Sequence, residues 1–157
     1  MEMTGAQLVP ASPQATWDAL NNADILKACI PGCESIAPMA GDAMQIAMVA
    51  RIGPISAKFT GLLKQSDIDP LKSYSLNFQG QGGAAGFATG SAHVTLTPEG
   101  PNTRLSYVVT ANVGGKLAQI GSRLIDSVAK KVADDFFKNF NVEVNKRSGV
   151  TLAACRA

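Results

Sequence analysis

The segment GGKLAQIGSRLIDSVAKKVADDFF, Gly114–Phe137, decides how the chain is read. Its apolar residues recur at helical spacing. At ~100° per residue, Leu124, Ile125, Val128, Val132 and Phe136 fall within about 60° of Gly121. Arg123, Asp126, Lys130, Asp134 and Lys138 take the far side, with Asp126–Lys130 and Asp134–Lys138 in the favourable i,i+4 order. The pattern predicts one long amphipathic helix, with Phe137 off the pattern toward the polar face. Gly121 then sits at the centre of the apolar face, where glycine costs roughly 1 kcal/mol relative to alanine.

The residues before this helix alternate with period two. Met44, Ile46 and Met48 share a face, as do Ile55, Ala57, Phe59, Gly61 and Leu63. Tyr74, Leu76 and Phe78 follow, then Ala88, Gly90, Ala92, Val94 and Leu96, then Leu105, Tyr107, Val109, Ala111 and Val113. Each set alternates with polar residues, which is the mark of antiparallel strands with one wet face. Ala40-Gly41-Asp42, Asp69-Pro70-Leu71-Lys72 and Pro98-Glu99-Gly100-Pro101 supply hairpin links. A sheet with one dry face needs a cover, and the long helix provides it.

At the other end, Met3–Val9 forms a first strand stopped by Pro10. Ser12-Pro13 opens a helix through Trp17 and Leu20, as a serine cap with proline in the first turn. It ends at Asn21-Asn22, and a second short helix, Ala23–Ala28, runs to the turn at Ile30-Pro31-Gly32.

Small residues, Gly121 on the helix and Ala57, Gly61, Gly80, Ala88, Gly90 and Ala92 on the strands, lie among Met44, Met48, Phe59, Leu76, Phe78 and Tyr107. Two readings stay open. Small residues allow closer packing or sheet curvature, or they leave a cavity with apolar walls.

Composition bounds the rest. The 157 residues suit one domain with a true core. A net charge of +2 with 6% aromatic residues does not describe a nucleic-acid binder. Only Lys146-Arg147 and Arg156 hint at a basic tail, a feature that could touch an acidic membrane surface or stand as a solvated terminus. No run reaches the ~18 apolar residues of a membrane span, and no signal pattern opens the sequence, so a cytoplasmic setting is expected. Three cysteines fit that setting. Cys29 and Cys33, spaced C-x3-C, read as buried or half-buried thiols rather than metal ligands.

Catalytic signals are thin. Gly80-Gln81-Gly82-Gly83-Ala84-Ala85 matches a dinucleotide fingerprint, but a strand follows it where a helix is required. It reads instead as a flexible hairpin at a pocket mouth. His93 lies on the polar face between Ser91 and Thr95. Asp67, Asp69, Glu99 and Asp126 show no pairing, and Asp134 and Asp135 point apart on the helix. Asp135 lies nearer the apolar arc, at its edge.

The order of a strand, two short helices, about six further strands and a long terminal helix resembles the START-like helix-grip fold. Finer motifs, Lys27-Ala28-Cys29-Ile30-Pro31-Gly32-Cys33 and Gly114-Gly115-Lys116-Leu117-Ala118-Gln119-Ile120-Gly121-Ser122-Arg123-Leu124-Ile125, are similar to the CoxG family, named for the G subunit of carbon monoxide dehydrogenase. The resemblance implies an α+β helix-grip fold of six or seven strands over residues 1–145, with 146–157 as a short tail. It implies a deep apolar cavity between sheet and helix. It further implies a non-catalytic accessory protein that binds a quinone or similar lipid, with no covalent or metal cofactor, and serves a molybdenum-containing hydroxylase at the inner face of the cytoplasmic membrane. Some members of the family continue into a linker and a membrane-interacting segment; here Val150–Ala157 ends the sequence, which leaves a shuttle or a partner-docked form.

On that implied cavity the candidate ligand-binding residues are Met44, Met48, Phe59, Leu76, Phe78, Phe87, Gly90, Ala92, Tyr107 and Val109 of the strands. Leu117, Gly121, Leu124, Ile125 and Val128 join them from the helix. Tyr107, Gln119 or Ser122 would orient a head group, with Gly80–Gly86 and Ile25–Pro31 as rims. Two rivals stay open: a cyclase or dehydratase-like enzyme on the same fold, and a docking module presenting an exposed Phe137 and the basic tail.

Overall fold

The computed structural model describes the backbone of residues 1–52 and 55–156, and side chains of 1–51 and 55–146. The basic tail beyond Lys146 therefore lies outside the described side chains. Seven strands form one antiparallel sheet: β1 (Glu2–Val9), β2 (Cys33–Pro38), β3 (Ala43–Ile52), β4 (Ile55–Asp69), β5 (Ser73–Gln81), β6 (Phe87–Glu99) and β7 (Asn102–Gly114). Their order is β1-β7-β6-β5-β4-β3-β2, so β1 and β2 are the edges. Helices α1 (Pro13–Leu20) and α2 (Ala23–Cys29) connect those two edges, and α3 (Lys116–Gln119) and α4 (Ser122–Arg156) close the chain. This is the helix-grip architecture that the order of elements implies.

Local chemistry sets the short helices. The Ser12 hydroxyl accepts from Ala15 N at 3.2 Å with Pro13 in the first turn, and Asn22 accepts from Asp24 N and Ile25 N. These side chains satisfy amides that a helix start leaves free. Pro38 is tolerated because β2 is an edge strand.

Small residues of neighbouring strands meet in register. Gly61 pairs with Gly80, and Phe78 pairs with Gly90. At Gly61 and Gly90 the carbonyl oxygens of Gln79 and Thr110 occupy the place a Cβ would take. A larger residue there would force the strands apart, so these two strand glycines serve close packing of neighbouring backbones rather than open space.

The long helix differs from its sequence reading first at its start. It breaks at Ile120-Gly121, and Gly121 has φ +97°, with no atom within 4 Å of where its Cβ would stand. Gly121 is therefore not on the face that meets the sheet. Its carbonyl accepts from Ile125 N at 3.1 Å, which makes it the capping residue of α4. Glycine is needed there for the left-handed backbone.

Phe137 also departs from expectation: it is buried, in a cluster with Phe136, Phe140 and Tyr107. Relative to Ile125, the buried Phe140, Val144 and Phe137 lie about 60°, 100° and 120° around the helix. The buried stripe turns along α4, and a single arc centred on Gly121 could not follow it. Phe137, Phe140 and Val144 of α4 pack into a core with Val9, Leu20, Ile25, Cys29, Leu96 and Leu105. Asn139 Nδ2 donates to the Cys29 carbonyl at 3.2 Å, fastening α2 to α4. The core thus lies beneath the Phe137–Val144 stretch of α4 and leaves the stretch from Ile125 to Ala133 standing over open space.

Candidate functional site

That open space is a cavity of about 490 Å³ between the concave face of the sheet and α4. Its size falls in the usual range for ligand pockets. Alternation along each strand fixes its walls, since every second side chain points inward. Met44, Leu76, Phe78, Ala92, Tyr107 and Val109 line it from the strands, and Leu117, Ile125 and Val128 from the helical side. Met48 and Phe59 line a second lobe of about 460 Å³ between β3, β4 and α4. The lobes share Pro31, Ile46, Leu63, Phe78, Ala88, Leu117, Val128 and Val132, so they are two ends of one groove.

Four residues of the candidate set lie elsewhere. Phe87 faces outward, packing across Gly114 on its strand partner; its parity is that of Thr89 and Ser91. Gly90 faces inward, but the Phe78 ring fills the place of its side chain, so Phe78 forms the wall. Gly121 lies outside the wall because the helix breaks there. Leu124 is one step, about 100°, away from Ile125 and misses the lining.

Sequence reasoning missed Leu20 of α1, together with Tyr74, Phe136 and Phe137, as lining residues. Tyr74 carried a signal, since it alternates with Leu76 and Phe78. Phe136 carried one too, lying on the apolar arc of the helix; Phe137 needed the turning stripe of α4 to be known. Both anticipated rims reach the groove, through Gly80 and through Leu26, Ile30 and Pro31.

Polar groups in the inner lobe are few. Tyr74 is buried, in edge contact with Trp17 at 5.5 Å, and burial pushes its phenol up to about 12. Gln65 is held by Asn21 at 2.9 Å. Tyr107 stands at the boundary of a separate polar crevice between β1 and α4, lined by Asp126, Lys130 and Asp134. Partial burial, with a smaller contribution from the Asp134 carboxylate, raises its phenol above the ordinary value. Gln119 and Ser122 are exposed and outside the groove.

The remaining candidate chemistry stands apart from the cavity. His93 Nδ1 lies 3.1 Å from the Ser75 hydroxyl on the wet face. The glycine-rich Gly80–Ala85 run ends β5 in a short 3-10 turn, and β6 follows rather than a phosphate-binding helix. Cys29 is buried, and desolvation, then the Glu143 charge, pushes its thiol up to about 11. Burial also raises the Cys33 thiol. Among the described residues no group of three or more His, Cys, Asp or Glu side chains is gathered for a metal. On α4 the ion pairs formed are Lys131–Asp135 at 3.1 Å and Glu143–Lys146 at 3.8 Å; Asp126–Lys130 and Asp134–Lys138 are not among the ion pairs of the described residues. Among those residues no helix is long and apolar enough to cross a membrane.

The family described as the G subunit of carbon monoxide dehydrogenase (CoxG) matches residues 5–145. A conserved protein from Geobacillus kaustophilus is 32% identical, with a TM-score of 0.88 over 93% of this chain and 96% of its own. A START superfamily protein from Mycobacterium smegmatis has a TM-score of 0.72 at 12% identity, covering 92% of this chain and 97% of its own. The Zhui aromatase/cyclase from Streptomyces sp. R1128 has 0.64 at 11%, covering 94% and 95%. At such identities these last two share the fold alone. No curated protein matches the chain.

Proposed function

The chain belongs to the CoxG family, that of the carbon monoxide dehydrogenase G subunit, and on that premise we propose that it is a non-catalytic accessory protein carrying a quinone or similar lipid. In this reading it links a molybdenum hydroxylase of the carbon monoxide dehydrogenase type to the respiratory chain, working at the inner face of the cytoplasmic membrane. The observation that carries the proposal is the groove itself: a cavity of about 490 Å³ walled by aliphatic and aromatic side chains, continuous with an outer lobe. Such walls bind by burial. A ligand losing roughly 300 Å² of apolar surface gains about 7 kcal/mol before the cost of association.

Two features favour carrying over turnover and docking. The inner lobe offers two tyrosine hydroxyls, Gln65 and Asp42 among otherwise apolar side chains, while the lone histidine stands on the opposite face of the sheet. Phe137, which a docking module would have to present, is buried.

Native mass spectrometry of freshly purified protein, with organic extraction of what it releases, tests the proposal. A co-purifying quinone or isoprenoid lipid is the expected result. A protein that is empty and refuses added quinone would overturn it.

A further inference from the structure

The two flanks of α4 carry different charge. Lys130 and Lys131 are consecutive and so point about 100° apart, toward opposite edges of the sheet. On the β1 flank Lys130 stands between Asp126 and Asp134, Glu2 faces the same crevice, and the Met1 ammonium, donating to the Ala111 carbonyl at 3.0 Å, adds a second positive charge; the three carboxylates still leave that side net negative. The Tyr107 ring separates this crevice from the apolar groove. On the β3 flank the outer lobe runs past Phe78 and Val132 and ends among Lys131, Asp135 and Arg51. Lys131 and Asp135 are paired at 3.1 Å, and Arg51 adds a second positive charge, leaving that end net positive.

A long apolar groove with one cationic end orients its occupant. Resting on the carrier reading, we propose that Arg51 and Lys131 receive the oxygen-bearing end of the ligand, and that its hydrocarbon fills the inner lobe. The ligand class is an amphipath with hydrogen-bond-accepting oxygens at one end, either neutral quinone carbonyls or a carboxylate. The guanidinium and ammonium groups are donors only, so they suit either acceptor. The opposite orientation would place those oxygens against the Tyr107 boundary, beside the carboxylates of Asp126 and Asp134, where an acceptor is repelled.

The test compares the native protein with the double variant Arg51→Gln, Lys131→Gln, both exposed positions outside the core. Three probes are used: diphenylhexatriene, a pure hydrocarbon; cis-parinaric acid; and an isoprenyl naphthoquinone read by displacement of diphenylhexatriene. The double variant should bind at least one oxygenated probe about tenfold more weakly and hold diphenylhexatriene as the native protein does. A loss confined to parinaric acid assigns an anionic end, and a loss for the naphthoquinone assigns carbonyl recognition. Unchanged affinity for both oxygenated probes, or an equal loss for all three, overturns the proposal. A native protein that takes up none of the probes overturns the carrier reading instead.

Discussion

The ring of Tyr107 stacks on that of Phe137, with centroids 5.2 Å apart and planes 19° from parallel. The Tyr107 hydroxyl lies over Gly5, where any side chain on β1 would collide with it. This pair closes the groove at the β1 edge and joins it to the core, since Phe137 also meets Phe136 edge-on at 5.1 Å. Phe137→Ala removes that closure and opens a void in the core. It should destabilise the protein by about 3–5 kcal/mol. Urea unfolding checks this, and a loss below about 1 kcal/mol would contradict the packing described.

Gly121→Leu separates the capping role from a place in the cavity wall. At φ +97° a leucine strains the backbone without meeting a neighbour. The expected outcome is a loss of about 1–3 kcal/mol in stability, with diphenylhexatriene affinity unchanged. Lost probe binding in a folded variant would return Gly121 to the wall.

Ala92 stands on β6 opposite Leu76 and Val109, with its methyl on the inner lobe. Ala92→Phe puts a ring into empty space rather than into packed core, so cooperative unfolding should persist. The ring competes with the ligand for volume, and apolar probe affinity should fall about tenfold or more. Fluorescence titration reads this directly.

Tyr74 gives stability an alkaline limit. Its phenol is held at about 12 in the fold against 10.0 ordinarily, because burial disfavours the phenolate. The unfolded chain therefore releases this proton first, and the stabilisation is present below pH 10 and lost as pH rises through 12. The full loss is about 2–3 kcal/mol. Cys29, pushed from 9.0 to about 11, adds a decline in the same direction from lower pH. Urea unfolding at a series of pH values should show Tyr74→Phe declining less steeply over this range than the native protein. Parallel declines would exclude a role for the Tyr74 phenol.

Much of the groove was legible because strand alternation is a strict geometric rule. Once Leu76 is placed inward, Tyr74 and Phe78 must follow, and the same parity sends Phe87 out. The Phe87 assignment failed where that parity was not applied to the first residue of β6. Gly90 obeyed the rule, but which neighbour would fill its vacancy depended on the Phe78 side chain of the adjacent strand. No pattern within β6 encodes that. The helix was less legible, because a fixed 100° step assumes a straight element with a constant face. A break at Gly121 and a stripe that turns toward Phe137 and Phe140 violate both assumptions.

The sequence by itself determined the order of the main elements, the cap at Ser12, the inward face of β3 to β7 and the need for a helical cover. Those follow from local periodicity and backbone chemistry, which act over a few residues. The tertiary structure alone decided that α4 is filled in beneath Phe137–Val144 and hollow beneath Ile125–Ala133. It also placed Arg51 and Lys131 at one end of the groove, with the Tyr107–Phe137 pair closing the other. A cavity is the volume that packing leaves over, fixed by how far a curved sheet stands from a helix, and no single segment carries that distance.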